Sequence, residues 1–364
     1  MSVGNQVEKP RFFVDLLQYQ YEIGNVGTVS DTNWSSGEIN AHILGLTATK
    51  AYESIGIGNF KVGFKNPISI PDKDMFIAIL GHNFASHGYH VQMKFYIGGT
   101  PGSAWLDHDS ETDYHAVSTH IVNSDYGYDG WSISKITPLE TENISAIVFK
   151  LWNMDAGETY KIGGVAFGMA YEPEFHADLA VTQSRIMDGT KNKNTKGGKT
   201  YSVINYTKPP NWWNGSPFEL KDASTTGIVS NSAFNNARIG RRSWDVAFSQ
   251  LTDRFYTDGV PNGVFASNEI VNNNSADTIN GNYSSDQDYD SVTGQFNYNI
   301  DTDNSLYSTV YHHTLGGTLP FIFSPSQDNS PQNFSICRFS KPGFSVKQKS
   351  HKKFNIKMKI NESW

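Results

Sequence analysis

Eleven histidines are the residues best suited to chemistry in this 364-residue chain. His82, His87 and His90 lie close together, His108, His115 and His120 form a second group, and His312 and His313 are adjacent. Zinc sites show HExxH spacing or cysteine pairs, and neither occurs. Neighbours on a strand point to opposite faces, so His312 and His313 would not chelate together if extended. These histidines read as structural or surface residues. Asp286, Asp288 and Asp290 alternate as calcium ligands can. An EF-hand loop needs Gly and Glu at its sixth and twelfth positions, and those are Ser291 and Asn297. A solvated polar loop is the plainer reading.

Nucleophile signatures are missing. Cys337 is the single cysteine, so no intrachain disulfide forms, and it reads as a buried free thiol. No GxSxG motif offers a nucleophile elbow. The turn at Gly98, Gly99, Thr100, Pro101 and Gly102 lacks the lysine and hydroxyl of a phosphate loop. Asp107 and Asp109 could serve a glycosidase only at a separation that sequence does not give. The expectation is a protein that is not an enzyme and carries no cofactor.

The aromatic residues carry more. Trp105, Tyr114, Tyr126, Tyr128 and Trp131 lie in a stretch rich in Asp, Ser and Gly. Exposed rings on loops stack on sugars and anchor interfaces. Trp105, Tyr126, Tyr128 and Trp131 are therefore candidate glycan or interface aromatics. The competing reading has them plug the end of a sandwich or bury at a subunit contact.

The elements that must position these residues read as strands. Residues 12–21 (FFVDLLQYQY) form an apolar opening segment expected as a strand, residues 31–37 a turn-rich loop, and residues 61–70 an extended segment broken at Pro67. Residues 75–80 (MFIAIL) suit a strand buried on both faces. Residues 90–98 alternate, with Val91, Met93, Phe95 and Ile97 on one side, and residues 145–152 repeat the pattern with Ile147, Phe149 and Leu151. Residues 160–171 read as a closing strand with glycines at close contacts or bulges. An acidic joint at Glu172, Pro173 and Glu174 divides the chain into domains 1–172 and 173–364.

Beyond the joint, residues 178–185 alternate, residues 189–199 form a Lys-rich turn, and residues 200–206 follow, a pattern expected as a hairpin with a flexible tip. Residues 243–251 place Trp244, Val246 and Phe248 on one side, with a helix as the alternative. Residues 319–323 and 354–360 are further strands, and residues 266–305 a long polar insertion. The fold class is all-β: an N-terminal antiparallel sandwich, then a C-terminal β-barrel or sandwich with an insertion.

Composition agrees. Charged residues make up 18% of the chain and aromatics 13%, a mix that favours sheet and turn over helical bundles. The formal net charge of −7 argues against nonspecific nucleic-acid binding by the whole chain. Lysines at 341, 347, 349, 352, 353, 357 and 359 make the C-terminal stretch locally basic, read as a solvated strand face and loops, with a contact to nucleic acid or an acidic neighbour as the alternative. The sequence shows no signal segment and no apolar run of membrane-spanning length, so neither secretion through a leader nor membrane insertion is expected.

Two resemblances follow from particular residues. Residues 75–84 (MFIAILGHNF), with the 91–97 strand, resemble galactose-binding-like (discoidin-type) sandwich domains of phage structural proteins. The second covers about residues 165–364. It rests on Phe167, Gly168 and Tyr171, on residues 196–200 (KGGKT), Tyr206, Pro209 and Trp212, on residues 238–245 (RIGRRSWD), on residues 316–325 (GGTLPFIFSP), and on Cys337, Arg338, Phe339 and the terminal strand. That order resembles virion proteins of tailed marine phages and the distal-tail type of tail protein. The resemblance implies a non-catalytic subunit of a multimeric ring or collar in the virion tail, partnered by its own copies and other tail proteins. Arg241, Arg242 and Trp244 become candidate assembly residues, the arginines flanking a strand start where they can snorkel or pair across a subunit seam. The insertion departs from the family core and leaves ring size open. The alternatives are a tail protein that binds a host surface glycan or receptor, and a head-decoration protein.

Overall fold

The computed structural model describes residues 9–34, 44, 46, 52–69, 74–82, 90–97, 115–116, 119–120, 128–136, 143–152, 159–173, 176–179, 181–186, 190–204, 221–222, 241–251, 289–290, 295–296, 306–327, 334–343, 345–350 and 353–363. In chain order the elements are β1 (Arg11–Asp15), α1 (Leu16–Glu22), β2 (Val26–Trp34), β3 (Tyr52–Ser69), β4 (Met75–His82), β5 (His90–Ile97), β6 (His115–Ala116), β7 (Thr119–His120), β8 (Tyr128–Ile136), β9 (Asn143–Trp152), β10 (Thr159–Ile162) and β11 (Gly164–Tyr171). There follow β12 (Thr182–Ile186), β13 (Thr190–Asn194), β14 (Thr200–Ile204), β15 (Lys221–Asp222), β16 (Arg241–Leu251), β17 (Tyr289–Asp290), β18 (Gln295–Phe296), a wide helical turn α2 (Tyr307–His312), β19 (Phe321–Ser324), β20 (Ser335–Phe339), β21 (Val346–Ser350) and β22 (Lys353–Glu362).

The chain is all-β in character, and among the described residues the named strands pair antiparallel, with one isolated parallel bridge between Leu44 and Val165. One 12-stranded sheet runs β12-β16-β22-β20-β19-β1-β11-β4-β8-β15, with β21 beside β22 and β7 beside β8, and a six-stranded sheet runs β10-β3-β9-β5-β6 with β2 beside β3. Among the described residues the large sheet is an open path, so of the barrel or sandwich expected for the C-terminal part no barrel closes, and its strands continue the sheet of the N-terminal sandwich. The link is β1, which pairs with β11 on one side and β19 on the other.

Alternation along the strands sets two faces on this sheet. Ile77, Phe167 and Met169 face the six-stranded sheet and meet Phe60, Val62, Met93, Phe95 and Phe149 in a sandwich core. Further along the same face, Phe12, Val14, Trp244, Phe321, Phe323 and Ile360 pack under Val310 and Tyr311 of α2. The opposite face holds Phe13, Phe76, Ala78, Leu80, Ile133 and Ile322. β4 is therefore buried on both sides, as its unbroken apolar run predicts. Each wholly buried Phe contributes roughly 2–3 kcal/mol of transfer free energy, so β1 with Phe12 and Phe13 on opposite faces ties both cores.

Five expectations are corrected. The opening segment is strand only to Asp15; the Asp15 carboxylate then accepts the Leu17 N–H at 3.0 Å, caps α1, and the next seven residues are helical. At this exit Gly168 is required, because a Cβ there would lie 1.8 Å from the Val14 carbonyl oxygen. Residues 31–34, expected in a loop, belong to β2, and β3 runs through Pro67 with a register shift between Gly63 and Ile68. The 160–171 segment is two strands in different sheets, switching at Gly163. The hairpin partners also differ: β12 pairs with β16, and the Lys-rich segment expected as a turn supplies β13, which pairs with β14.

Candidate functional site

Arg242 and Trp244 alternate inward on β16, and Arg241 is half-buried. Trp244 is 1% exposed and its ring packs on Phe323 at 5.2 Å. Arg242 reaches a buried carboxylate that sequence reasoning did not single out, Glu362 on β22. The Arg242 Nε donates to Glu362 Oε1, and its backbone N–H donates to Oε2 at 2.6 Å. A guanidinium nitrogen also donates to Ser335 Oγ, which in turn donates to Glu362 Oε1 at 3.1 Å. The guanidinium stands 5.2 Å over the Trp244 ring.

Burial pushes the Glu362 carboxyl up from its ordinary range, and Arg242 with the hydrogen bonds pulls it back. Cys337, opposite Glu362 in the ladder, is buried. Its thiol is held well above the usual thiol range by burial and by Glu362. Arg242 makes its ion pair with Glu362 of the same chain. Glu362 lies two residues beyond the strand expected at 354–360, and no sequence pattern singles it out.

The histidine pair sits on a helical turn rather than a strand. His312 shares a 2.9 Å hydrogen bond with the Tyr19 hydroxyl, and buried His313 meets the Ser308 carbonyl oxygen at 2.7 Å. The Tyr19 ring packs edge-on to His313 at 4.8 Å, which docks α1 on α2. After α2, Leu315, Gly316 and Gly317 all take positive φ. The Thr314 hydroxyl holds this reversal by donating to the Val310 carbonyl and accepting the Gly317 N–H. His82 is buried against Ser132 at 2.7 Å, and burial lowers its pKa to about 3, so it stays neutral.

Of the candidate aromatics, Tyr128 and Trp131 lie on β8, where Trp131 is in register with Leu80. Trp105 and Tyr126 lie outside the described residues, as do His87, His108, Asp286, Asp288 and most of the 266–305 insertion; within it β17 and β18 form a two-residue ladder.

The β13–β14 hairpin is the second feature. It forms a two-stranded sheet by itself among the described residues. One face carries a ladder of hydroxyl–amide bonds, Thr200 to Asn194 at 2.8 Å and Ser202 to Asn192 at 2.7 Å. The other face presents Tyr201, 53% exposed, and Val203, 61% exposed. The Lys199 ammonium lies 5.3 Å over the Tyr201 ring, and Lys193, Lys196 and Lys199 are all exposed.

No protein-family model and no curated protein matches this chain. Among solved structures it is similar to a pectin-binding carbohydrate-binding module, at 12% identity and a TM-score of 0.25, over 39% of this chain and 89% of that one. A likeness at that level carries no functional argument, and the all-β description stands on this chain's own strands.

Proposed function

We propose that this chain is a non-catalytic structural subunit that assembles with copies of itself, as a ring or collar in the tail of a tailed-phage particle. The β13–β14 hairpin carries the reading. A two-stranded hairpin alone is marginally stable in water, and this one pairs with no other described strand. Its exposed Tyr201 and Val203 form an apolar face that gains by docking. Three exposed lysines surround that face in a chain of net charge −7, so a second copy is an electrostatically matched partner. Among the described residues β12 is the end strand of the large sheet's path, where a strand of a second copy can add. An arm on one copy meeting an edge on the next is a head-to-tail contact, the kind that closes rings. The residues at 75–84, 238–245 and 316–325 that resemble phage virion proteins support the tail location.

The test is the mass of the full chain by light scattering across a concentration series, beside the Tyr201→Ser/Val203→Ser variant. The wild type is expected to form a closed multimer and the variant a folded monomer. A wild type that stays monomeric throughout, or a variant that assembles equally well, overturns the reading. Immunogold labelling of particles tests the tail location.

A further inference from the structure

On its C-terminal wing the large sheet contains a break in pairing. β20 pairs with β22 from Cys337↔Glu362 to Phe339↔Ile360, and β21 pairs with it from Val346↔Ile356 onward. Between those ladders Ser340 donates its N–H to the Lys359 carbonyl at 2.9 Å, and the chain then swings out through Gly343 at φ +107°. A cleft of about 810 Å³ opens beside the turn. Lys341, Lys357 and Lys359 line it, together with the hydroxyl residues Thr182, Ser340 and Ser345.

The lysines continue along the sheet. Lys357 and Lys359 alternate with buried Ile356, Met358 and Ile360, so they share the outer face. Lys347, opposite Asn355, lies exposed on that same face of β21, and Lys349 is exposed at the register shift between Gln348 and Ser350. The stripe covers five residues of β22, from Asn355 opposite Lys347 to Lys359, roughly 15 Å. Lys359 approaches Asp245 at 4.0 Å, with both side chains about half exposed, an ion pair that solvent screens. No carboxylate of a described residue pairs with Lys341, Lys347, Lys349 or Lys357.

We propose that this cleft and its lysine stripe bind an acidic polysaccharide, a chain of sugars bearing carboxylate groups. The lysines meet the carboxylates, while Thr182, Ser340, Ser345 and Asp245 supply donors and acceptors for sugar hydroxyls. Single-stranded nucleic acid fits less well. Its affinity needs free ring faces for base stacking, and the aromatics here, Tyr311 and Phe339, are buried and stacked on each other at 4.4 Å. The site rests on this cleft alone and not on assembly through the hairpin.

The test is titration calorimetry of the full chain with alginate at low salt, beside neutral dextran of matched length and oligothymidylate. Alginate is expected to bind and to release as salt rises. The Lys357→Gln/Lys359→Gln variant is expected to lose roughly tenfold or more in affinity with an unchanged thermal midpoint, since both side chains are exposed. Tyr201→Ser is expected to bind alginate as the wild type does, which separates this site from the assembly reading. Absence of alginate binding, equal binding of dextran, full affinity in the double lysine variant, or tighter binding of oligothymidylate each overturns the proposal.

Discussion

Asp15 couples the stability of this fold to pH. Its carboxylate is 2% exposed at the point where β1 becomes α1. Oδ1 accepts the Leu17 N–H at 3.0 Å and the Phe167 N–H at 3.4 Å, while Oδ2 has no hydrogen-bond partner. Burial outweighs those bonds and raises the pKa from 3.8 to about 7. The folded chain therefore holds a proton that the unfolded chain has released, and stability falls as pH rises between those values.

The shift of about three units corresponds to about 4 kcal/mol, lost at about 1.4 kcal/mol per pH unit and fully lost above pH 7. Asp15→Asn keeps the acceptor oxygen and the cap, and its amide reproduces the protonated form. Urea unfolding of both proteins across a pH series isolates the effect, because every other titrating group cancels in the difference. The two are expected to match near pH 3. The variant then gains with pH until the gap levels at about 4 kcal/mol above pH 7. A gap that does not change with pH, or a variant less stable at pH 8, refutes the reasoning.

Other consequences follow from single contacts. Arg242→Met strands the buried Glu362 and is expected to cost about 3–5 kcal/mol in urea unfolding, with most of it recovered in Arg242→Met/Glu362→Leu. Gly168→Ala drives a Cβ to 1.8 Å from the Val14 oxygen and is expected to abolish soluble folded protein, seen as loss of the native circular dichroism spectrum. Cys337, buried with its thiol pKa pushed up, is expected to resist an aromatic disulfide reagent until the chain is unfolded. Residues 173–364 expressed alone lack β1, whose Phe12 and Val14 complete the core around Phe321, Phe323 and Trp244; this fragment is expected to aggregate unless the β1 segment is supplied, measured by sedimentation.

Local pattern made the strands legible where burial follows alternation. The run at 75–80, the inward Met93 and Phe95, the Ile147 and Phe149 face and the inward Trp244, Val246 and Phe248 are each set by which residues must leave water. The buried thiol at Cys337 and the exposed lysines flanking Met358 follow from the same rule. Partnership is different, because a strand's hydrogen-bonding groups are the same along its length and carry no address. Sequence therefore did not tell that β1 would join β11 to β19, that β12 would take β16 as its neighbour, or that the Lys-rich segment would itself be a strand. The break in the ladder beside Lys357 and Lys359 and the meeting of Arg242 with Glu362, 120 residues apart, arise the same way. Composition and periodicity determined that this chain makes sheets and which side chains point inward. Only the tertiary structure decided which edges meet, because that choice belongs to packing over distant residues.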